Sequence, residues 1–232
     1  MMGTPRDLED FAVGFSIAEG VARGVRDLRA IETTPRDDGI EVAISLNAEA
    51  LHRFLARRRV RALHGRTSCG ICGVEDLDDI AFVPAARARA APPLDQAALQ
   101  VALARLRGLQ PLGARTHGAH AAAWVALDGE LVLIREDVGR HSALDKLVGA
   151  ALRAELDFGD GFCLITSRCS YEMVQKAAAA GIPALVAISA PTALAIRTAQ
   201  AAALTLITLD RIGGHLIYTA SESEDAVNAK QS

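Results

Sequence analysis

The segment Arg66-Thr67-Ser68-Cys69-Gly70-Ile71-Cys72-Gly73 sets two cysteines in a C-x-x-C spacing with glycine beside each. A thiolate attacks sulfur and binds metal, and a second cysteine at this spacing can resolve or relay what the first acquires. Three chemistries fit. A structural zinc site needs four ligands, yet the remaining cysteines, Cys163 and Cys169, lack this spacing, and Cys163 falls in an apolar run that reads as core. A thioredoxin-like pair belongs at a strand-to-helix turn, whereas no strong strand precedes this one, and Gly73 and four acidic residues between Glu75 and Asp79 follow it. Sulfur carriage as a persulfide is the third. Spacing alone does not separate them.

Other polar groups gather where strands are expected to hand over to helices. In the run from Arg135 to Lys146 a helix is predicted to begin near Gly139. Free N–H groups at such a start, with Arg140 beside them, suit phosphate or another anion, against the plainer reading of a surface ion-pair network. His141 and Asp145 are four residues apart, so they share a helix face and can hydrogen-bond. Thr166-Ser167-Arg168-Cys169-Ser170 and Ser189-Ala190-Pro191-Thr192 fall at two further handovers, the edge where open α/β sheets bind ligands. Arg168 can pair with a phosphate; the alternative is ordinary helix capping by Ser170 and Ser189. Cys169 has no partner by spacing. Leu209-Asp210-Arg211-Ile212-Gly213-Gly214 follows the last expected parallel strand, either as a nucleotide-phosphate segment or as a simple turn. His117 and His120 have a possible metal spacing, but no cysteine or carboxylate lies alongside, so they read as polar residues near a cleft.

The elements that must hold these residues follow from periodicity. Thr4 as cap and Pro5 at the first helical position predict a helix bearing Leu8, Phe11, Ala12 and Phe15 on one stripe and leaving at Gly20. Strands are predicted at Val25 to Thr33 and Ile40 to Leu46 around a Pro35 to Gly39 loop, then a helix from Ala48 to Arg59. The glycine-rich stretch from Gly65 to Gly73 reads as a mobile loop and Ala85 to Pro93 as a linker, after which Asp95 caps a helix with Leu99, Leu103 and Leu106. Asp128-Gly129 marks a hairpin between two apolar strands, with a turn that needs positive φ. Beyond it, strands at Phe162 to Thr166, Ala184 to Ser189 and Leu204 to Leu209 alternate with helices at Ser170 to Ala180 and Pro191 to Ala202. That alternation implies a parallel sheet covered on both faces. Leu216 to Thr219 adds a strand, and the polar tail from Ser221 is expected to fray.

Composition bounds the function. The chain has 232 residues, 50% of hydrophobic type, a formal net charge of -3 and a pI near 6.1, which suits a large core and excludes a general nucleic-acid binder. The basic run Arg57-Arg58-Arg59-Val60-Arg61 reads as the solvated end of a helix. Each apolar run is cut short of the ~20 residues a membrane helix needs, and the start lacks the regions of a secretory signal. A reducing, cytoplasmic setting without a membrane partner is expected, where C-x-x-C serves redox, metal or sulfur chemistry rather than structural disulfides.

Taken together, several segments resemble the formate dehydrogenase accessory sulfurtransferase (FdhD) family. They are Thr4-Pro5-Arg6-Asp7-Leu8-Glu9-Asp10 with Gly14-Phe15 and Glu19-Gly20, then Cys69-Gly70-Ile71-Cys72-Gly73, the run from Arg135 to Lys146, Ser170-Tyr171-Glu172-Met173-Val174-Gln175-Lys176, Ser189-Ala190-Pro191-Thr192 and Tyr218-Thr219. The resemblance spans nearly the whole chain. It implies a cytidine-deaminase-like three-layer α/β/α domain over residues 94–232 and a smaller N-terminal α+β domain over residues 1–93 that carries the C-x-x-C loop. It also implies persulfide sulfur accepted from a cysteine desulfurase on Cys69 and Cys72 and passed to the molybdenum cofactor, as bis-molybdopterin guanine dinucleotide, for formate dehydrogenase. The cofactor is thus a bound substrate that a guanine nucleotide would mimic, held by Leu209, Asp210, Arg211, Ile212, Gly213 and Gly214 with Arg140, His141 and Arg168. A homodimer and no resident metal are further implications. A chaperone that shields the cofactor without carrying sulfur is the alternative. Ser142 stands where the family usually has asparagine, and Gly214 where a second basic residue is common. The chain also starts almost at Thr4-Pro5, where the family usually has an upstream strand-rich stretch, so the small domain is expected to be shortened. Deaminase catalysis is not expected, because the H-x-E and downstream P-C-x-x-C pattern it requires is missing.

Overall fold

Thr4 does not cap the first helix. In the computed structural model, which describes residues 1–57, 90–209 and 214–220, helix α1 (Leu8–Ala18) begins after Asp7, held in the left-handed region at φ 53°. Thr4 is engaged across the fold instead. Its N–H donates to the Asp137 carboxylate (3.0 Å), its hydroxyl accepts from the Val138 N–H (3.2 Å), and its carbonyl accepts from Lys146 Nζ (2.9 Å). Asp137 and Lys146 form a pair 2.6 Å apart with each side chain 1% exposed. Buried charges persist only when their remaining hydrogen-bonding capacity is filled, and Thr4 fills part of it. Gly20 does end the helix, at φ 67°. Of the expected stripe only Ala12 is fully buried; the inner face is Asp10, Val13, Gly14 and Ile17, and Phe11 and Phe15 stack at its flank.

Strands β1 (Leu28–Arg36) and β2 (Gly39–Leu46) form a separate two-stranded antiparallel sheet. Arg36 pairs with Gly39, so the turn is shorter than the expected loop and Pro35 stays in the strand, as a hairpin edge allows. Helix α2 (Ala48–Arg57) follows. The Asp95 carboxylate accepts from the Ala97 N–H (3.1 Å) and caps helix α3 (Gln96–Leu106) as predicted. A short helix α4 (Pro111–Thr116) was not legible in the sequence. Its first free N–H groups, on Leu112 and Gly113, donate to the Glu136 carboxylate at 2.9 and 2.7 Å, a cap supplied from a distant strand.

That strand is β4 (Leu131–Asp137), the second arm of a hairpin with β3 (His120–Ala126). Of the turn pair Asp128-Gly129, only Gly129 takes positive φ, at 88°. Helix α5 (Arg140–Arg153) leaves β4, and β5 (Gly161–Ile165), α6 (Tyr171–Ala179), β6 (Ala184–Ala187), α7 (Ala193–Ala201), β7 (Thr205–Leu209) and β8 (His215–Thr219) follow. The sheet order is β4-β3-β5-β6-β7-β8. Only the β5–β6 and β6–β7 pairings are parallel; the β4–β3, β3–β5 and β7–β8 pairings are antiparallel, so the sheet is mixed.

Alternation along the strands separates two cores. Trp124, Cys163, Ile165, Leu185 and Leu206 pack under α5, α6 and α7, while Val125, Phe162, Leu164, Val186 and Ile207 pack with Leu99, Ala102 and Leu106 of α3. Helix α1 lies on α5. No helix among the described residues is long and apolar enough to cross a membrane.

Candidate functional site at the carboxyl edge of the sheet

Strand direction brings the predicted polar groups to one edge. Strand β3 is antiparallel to both β4 and β5, so β4 ends at the same edge as the parallel strands β5, β6 and β7. Arg140 and His141 open α5 just beyond β4. Arg168 is exposed in the turn after β5, Ser189 to Thr192 follow β6, and Leu209 closes β7 opposite His215. Gly214 lies beside that pairing. From β4 to β7 is four strand spacings, about 19 Å. Cys69, Cys72, Asp210, Arg211, Ile212 and Gly213 lie outside the described residues, as do the basic run beyond Arg57, the loop from Gly65 to Gly73, most of the linker and the tail from Ser221.

A cleft of about 100 Å³ sits at the amino end of α5, lined by Met1, Met2, His120, Gly139, Arg140 and His141 among others. Gly139 is the N-cap, and no side chain caps the helix from that position. The start of α5 is anchored from beneath: Asp137 accepts from the Gly139 N–H at 2.8 Å as well as from Thr4 and Lys146. His120 faces this cleft, and its pKa is pushed below the ordinary 6.5 by burial, with the Arg140 and His141 charges adding to the effect. His117, the other histidine of that motif, is exposed at a positive φ of 51°.

His141 and Asp145 share a helix face but do not turn toward each other. Each reaches across to α6. His141 Nε2 lies 2.8 Å from the Glu172 carboxylate, and Asp145 accepts from Lys176 Nζ at 2.9 and 3.0 Å. Glu19, the C-cap residue of α1, comes within 3.3 Å of the same ammonium, which also lies 5.6 Å from the Phe15 ring centre. Burial by itself would lower the Lys176 pKa, but the Asp145 and Glu19 carboxylates outweigh it and hold it up. A competing hydrogen bond within α5 would leave Lys176 and Glu172 as unpaired charges in the interior, which costs far more.

The hydroxyls of the β5–α6 turn serve the scaffold. Thr166 Oγ1 accepts from the Ala121 N–H at 2.9 Å and Ser167 Oγ donates to the Arg168 carbonyl at 3.0 Å. Ser170 occupies the N-cap position of α6, but its hydroxyl makes no capping bond and is buried without a hydrogen-bond partner among the described residues. Ser189 is not a cap either; Thr192 takes that role in α7, accepting from the Ala195 N–H at 3.1 Å. Cys169 is fully buried, its backbone bridged to Pro191, and burial pushes its thiol up to about 12. Cys163, also fully buried, is pushed up further by the same cause. Neither is a nucleophile at neutral pH. Among the described residues, no cluster of three or more His, Cys, Asp or Glu could hold a metal ion.

Sequence reasoning missed Glu172 and Lys176. A signal existed: they are spaced four apart with charges that complement His141 and Asp145 at the same spacing.

The model of the FdhD/NarQ family matches residues 1–224. The chain belongs to the FdhD/NarQ family. Among similar proteins, the sulfur carrier protein FdhD of Cupriavidus necator is 46% identical over 218 residues, covering 94% of this chain and 75% of that protein. The sulfur carrier protein FdhD of Xanthomonas euvesicatoria is 47% identical over 219 residues, covering 94% and 77%. A Desulfotalea psychrophila crystal structure described as a formate dehydrogenase accessory protein superposes with a TM-score of 0.68 at 23% identity. It covers 95% of this chain and 80% of that one, so the FdhD-type fold extends through the mixed sheet.

Proposed function

We propose that this chain is a sulfur carrier that moves persulfide sulfur from a cysteine desulfurase to bis-molybdopterin guanine dinucleotide, for use by formate dehydrogenase. The reading is supported by relatives at 46–47% identity that are named sulfur carrier protein FdhD. The observation that carries the ligand side is the sheet edge, which gathers Arg140, His141, Arg168, Leu209 and Gly214 within about four strand spacings. That span suits an extended, phosphate-rich ligand rather than a small one, and the start of α5 offers N–H groups to an anion.

In this reading Cys69 bears the persulfide and Cys72 assists. Attack of the Cys72 thiolate on the Cys69 sulfur breaks the sulfur–sulfur bond. The outer sulfur leaves as sulfide, taking the electron pair of that bond, while the two cysteine sulfurs close a disulfide. The C-x-x-C pair is the only source of reactive thiols in the proposal, because Cys163 and Cys169 are buried with raised pKa values. Residues 209–214, with Arg211, would hold the guanine nucleotide end. Two chains would act as a cytoplasmic homodimer, with residues 1–93 presenting the loop. The larger unit, residues 94–232, is read as a cytidine-deaminase-type scaffold. Its parallel β5–β6–β7 core with apolar packing on both faces supports that.

The test loads the protein with a desulfurase and sulfur-35 cysteine, comparing wild type with Cys69→Ala and Cys72→Ala. Thiol-releasable label should disappear in Cys69→Ala. Formate dehydrogenase activity in cells carrying only the double cysteine variant should be lost. Full maturation by that variant would leave only the cofactor-shielding role.

A further inference from the structure

We infer that Glu172 positions the His141 imidazole in the cleft, and that the Asp145–Lys176 pair one helical turn below keeps Glu172 within reach. This rests on the nucleotide reading above for its ligand, though not for its geometry.

The two side chains meet at 2.8 Å with 10% and 13% exposure. Among the described residues neither His141 Nε2 nor Glu172 Oε2 makes a directed hydrogen bond, so their meeting is a close polar contact between two otherwise unpartnered buried atoms. An imidazole lone pair held that close to a carboxylate oxygen, away from water, would be repulsive. Nε2 therefore carries the hydrogen, and the carboxylate close beside it favours that form by electrostatic attraction. With Nε2 turned to α6, the part of the ring left to line the cleft is the Nδ1 side. The cleft also holds Arg140, His120 and the amino end of α5, so the imidazole is one of several groups converging on the same small volume.

The reach depends on register. His141 and Asp145 stand one turn apart on α5, and Glu172 and Lys176 one turn apart on α6, so two contacts stack as rungs between the helices. The lower rung is the tighter one: Asp145 is 1% exposed and receives Lys176 on both oxygens. Helix α1 pins that lysine from a third side through Glu19 and Phe15. Sliding α6 by one residue would break both rungs at once. Glu172 is not itself among the residues lining the cleft and acts through His141, which makes it a positioning residue.

The experiment uses the full chain labelled with nitrogen-15 at histidine, in wild type, Glu172→Gln, Glu172→Ala, His141→Asn and the His141→Asn/Glu172→Ala double variant. Imidazole nitrogen spectra, with His141 assigned by its absence in His141→Asn, report which ring nitrogen is protonated. In wild type His141 should show a protonated Nε2, Glu172→Ala should shift that signal, and Glu172→Gln, which keeps an oxygen there but not the charge, should restore only part of it. Guanosine diphosphate affinity should fall about tenfold in Glu172→Ala and in His141→Asn, and by no more than that in the double variant. An unchanged His141 spectrum in both Glu172 variants overturns the inference. So do losses that multiply to about a hundredfold in the double variant. If the wild-type chain binds no guanosine diphosphate, the nucleotide reading fails, and the spectra alone decide the role of Glu172.

Discussion

Gly14 on α1 and Gly149 on α5 are seated on each other's helices. A Cβ on Gly14 would stand 1.8 Å from the Asp145 carbonyl oxygen, and one on Gly149 would stand 1.8 Å from the Asp10 carbonyl oxygen. The contact is reciprocal: residues 10 and 14 of one helix meet residues 145 and 149 of the other. It explains why the buried face of α1 differs from the apolar stripe that its sequence shows, since backbone-to-backbone approach is possible only where both glycines point inward. It also brings Asp10 against Arg135 of β4 at 2.8 Å and Arg153 of α5 at 2.5 Å, so the closely packed helix pair is tied to the sheet edge that holds the site.

Replacing Gly149 with alanine should therefore destabilise the chain by about 3 kcal/mol or more, because the atoms in the way are backbone and a whole helix must move. Urea unfolding of Gly149→Ala checks this. A midpoint within error of wild type would show that α1 does not pack on α5 as described.

The Asp137–Lys146 pair sets a second expectation. Asp137→Leu leaves the Lys146 ammonium buried among groups that cannot replace the carboxylate, at a cost of about 3–5 kcal/mol. Adding Lys146→Met to Asp137→Leu should recover a large part of that loss, as removing both charges leaves none unpaired. Denaturation of the two variants side by side measures the recovery, and the double variant should be the more stable of the two.

His120 gives the pH dependence. Its folded pKa lies below the ordinary 6.5, so the unfolded chain binds the proton more readily. The group's contribution to stability is present above the unfolded pKa and is lost as pH falls through 6.5 toward the folded value. Proton titration of the His120 ring by NMR should show a midpoint below 6.5, moving upward in Arg140→Gln because one cation facing it has been removed. A midpoint that ignores Arg140→Gln would place the arginine away from the cleft.

Thiol labelling separates the cysteines. With its thiol raised to about 12, Cys169 is thiolate in roughly one molecule in ten thousand at pH 8. In native Cys69→Ala/Cys72→Ala protein, iodoacetamide should leave Cys163 and Cys169 unmodified by intact mass, and both should react once the chain is unfolded. Native labelling at either position would contradict their burial.

The elements carrying the site were legible wherever one short range of sequence decides the local structure. Asp95 caps α3, Gly20 ends α1, and the alternating strands and helices after Gly161 announce a parallel core, because capping and periodicity act within a few residues. The run from Arg135 to Lys146 was legible for the same reason, as a local handover from strand to helix. What the tertiary structure decided is which distant groups satisfy one another. Thr4 left its expected cap to serve Asp137 and Lys146, Glu136 capped a helix invisible to periodicity, and His141 turned from Asp145 to Glu172. In each case a buried charge or an open helix end had to be satisfied, and the cost of leaving it bare exceeded the small local preference that the sequence displayed.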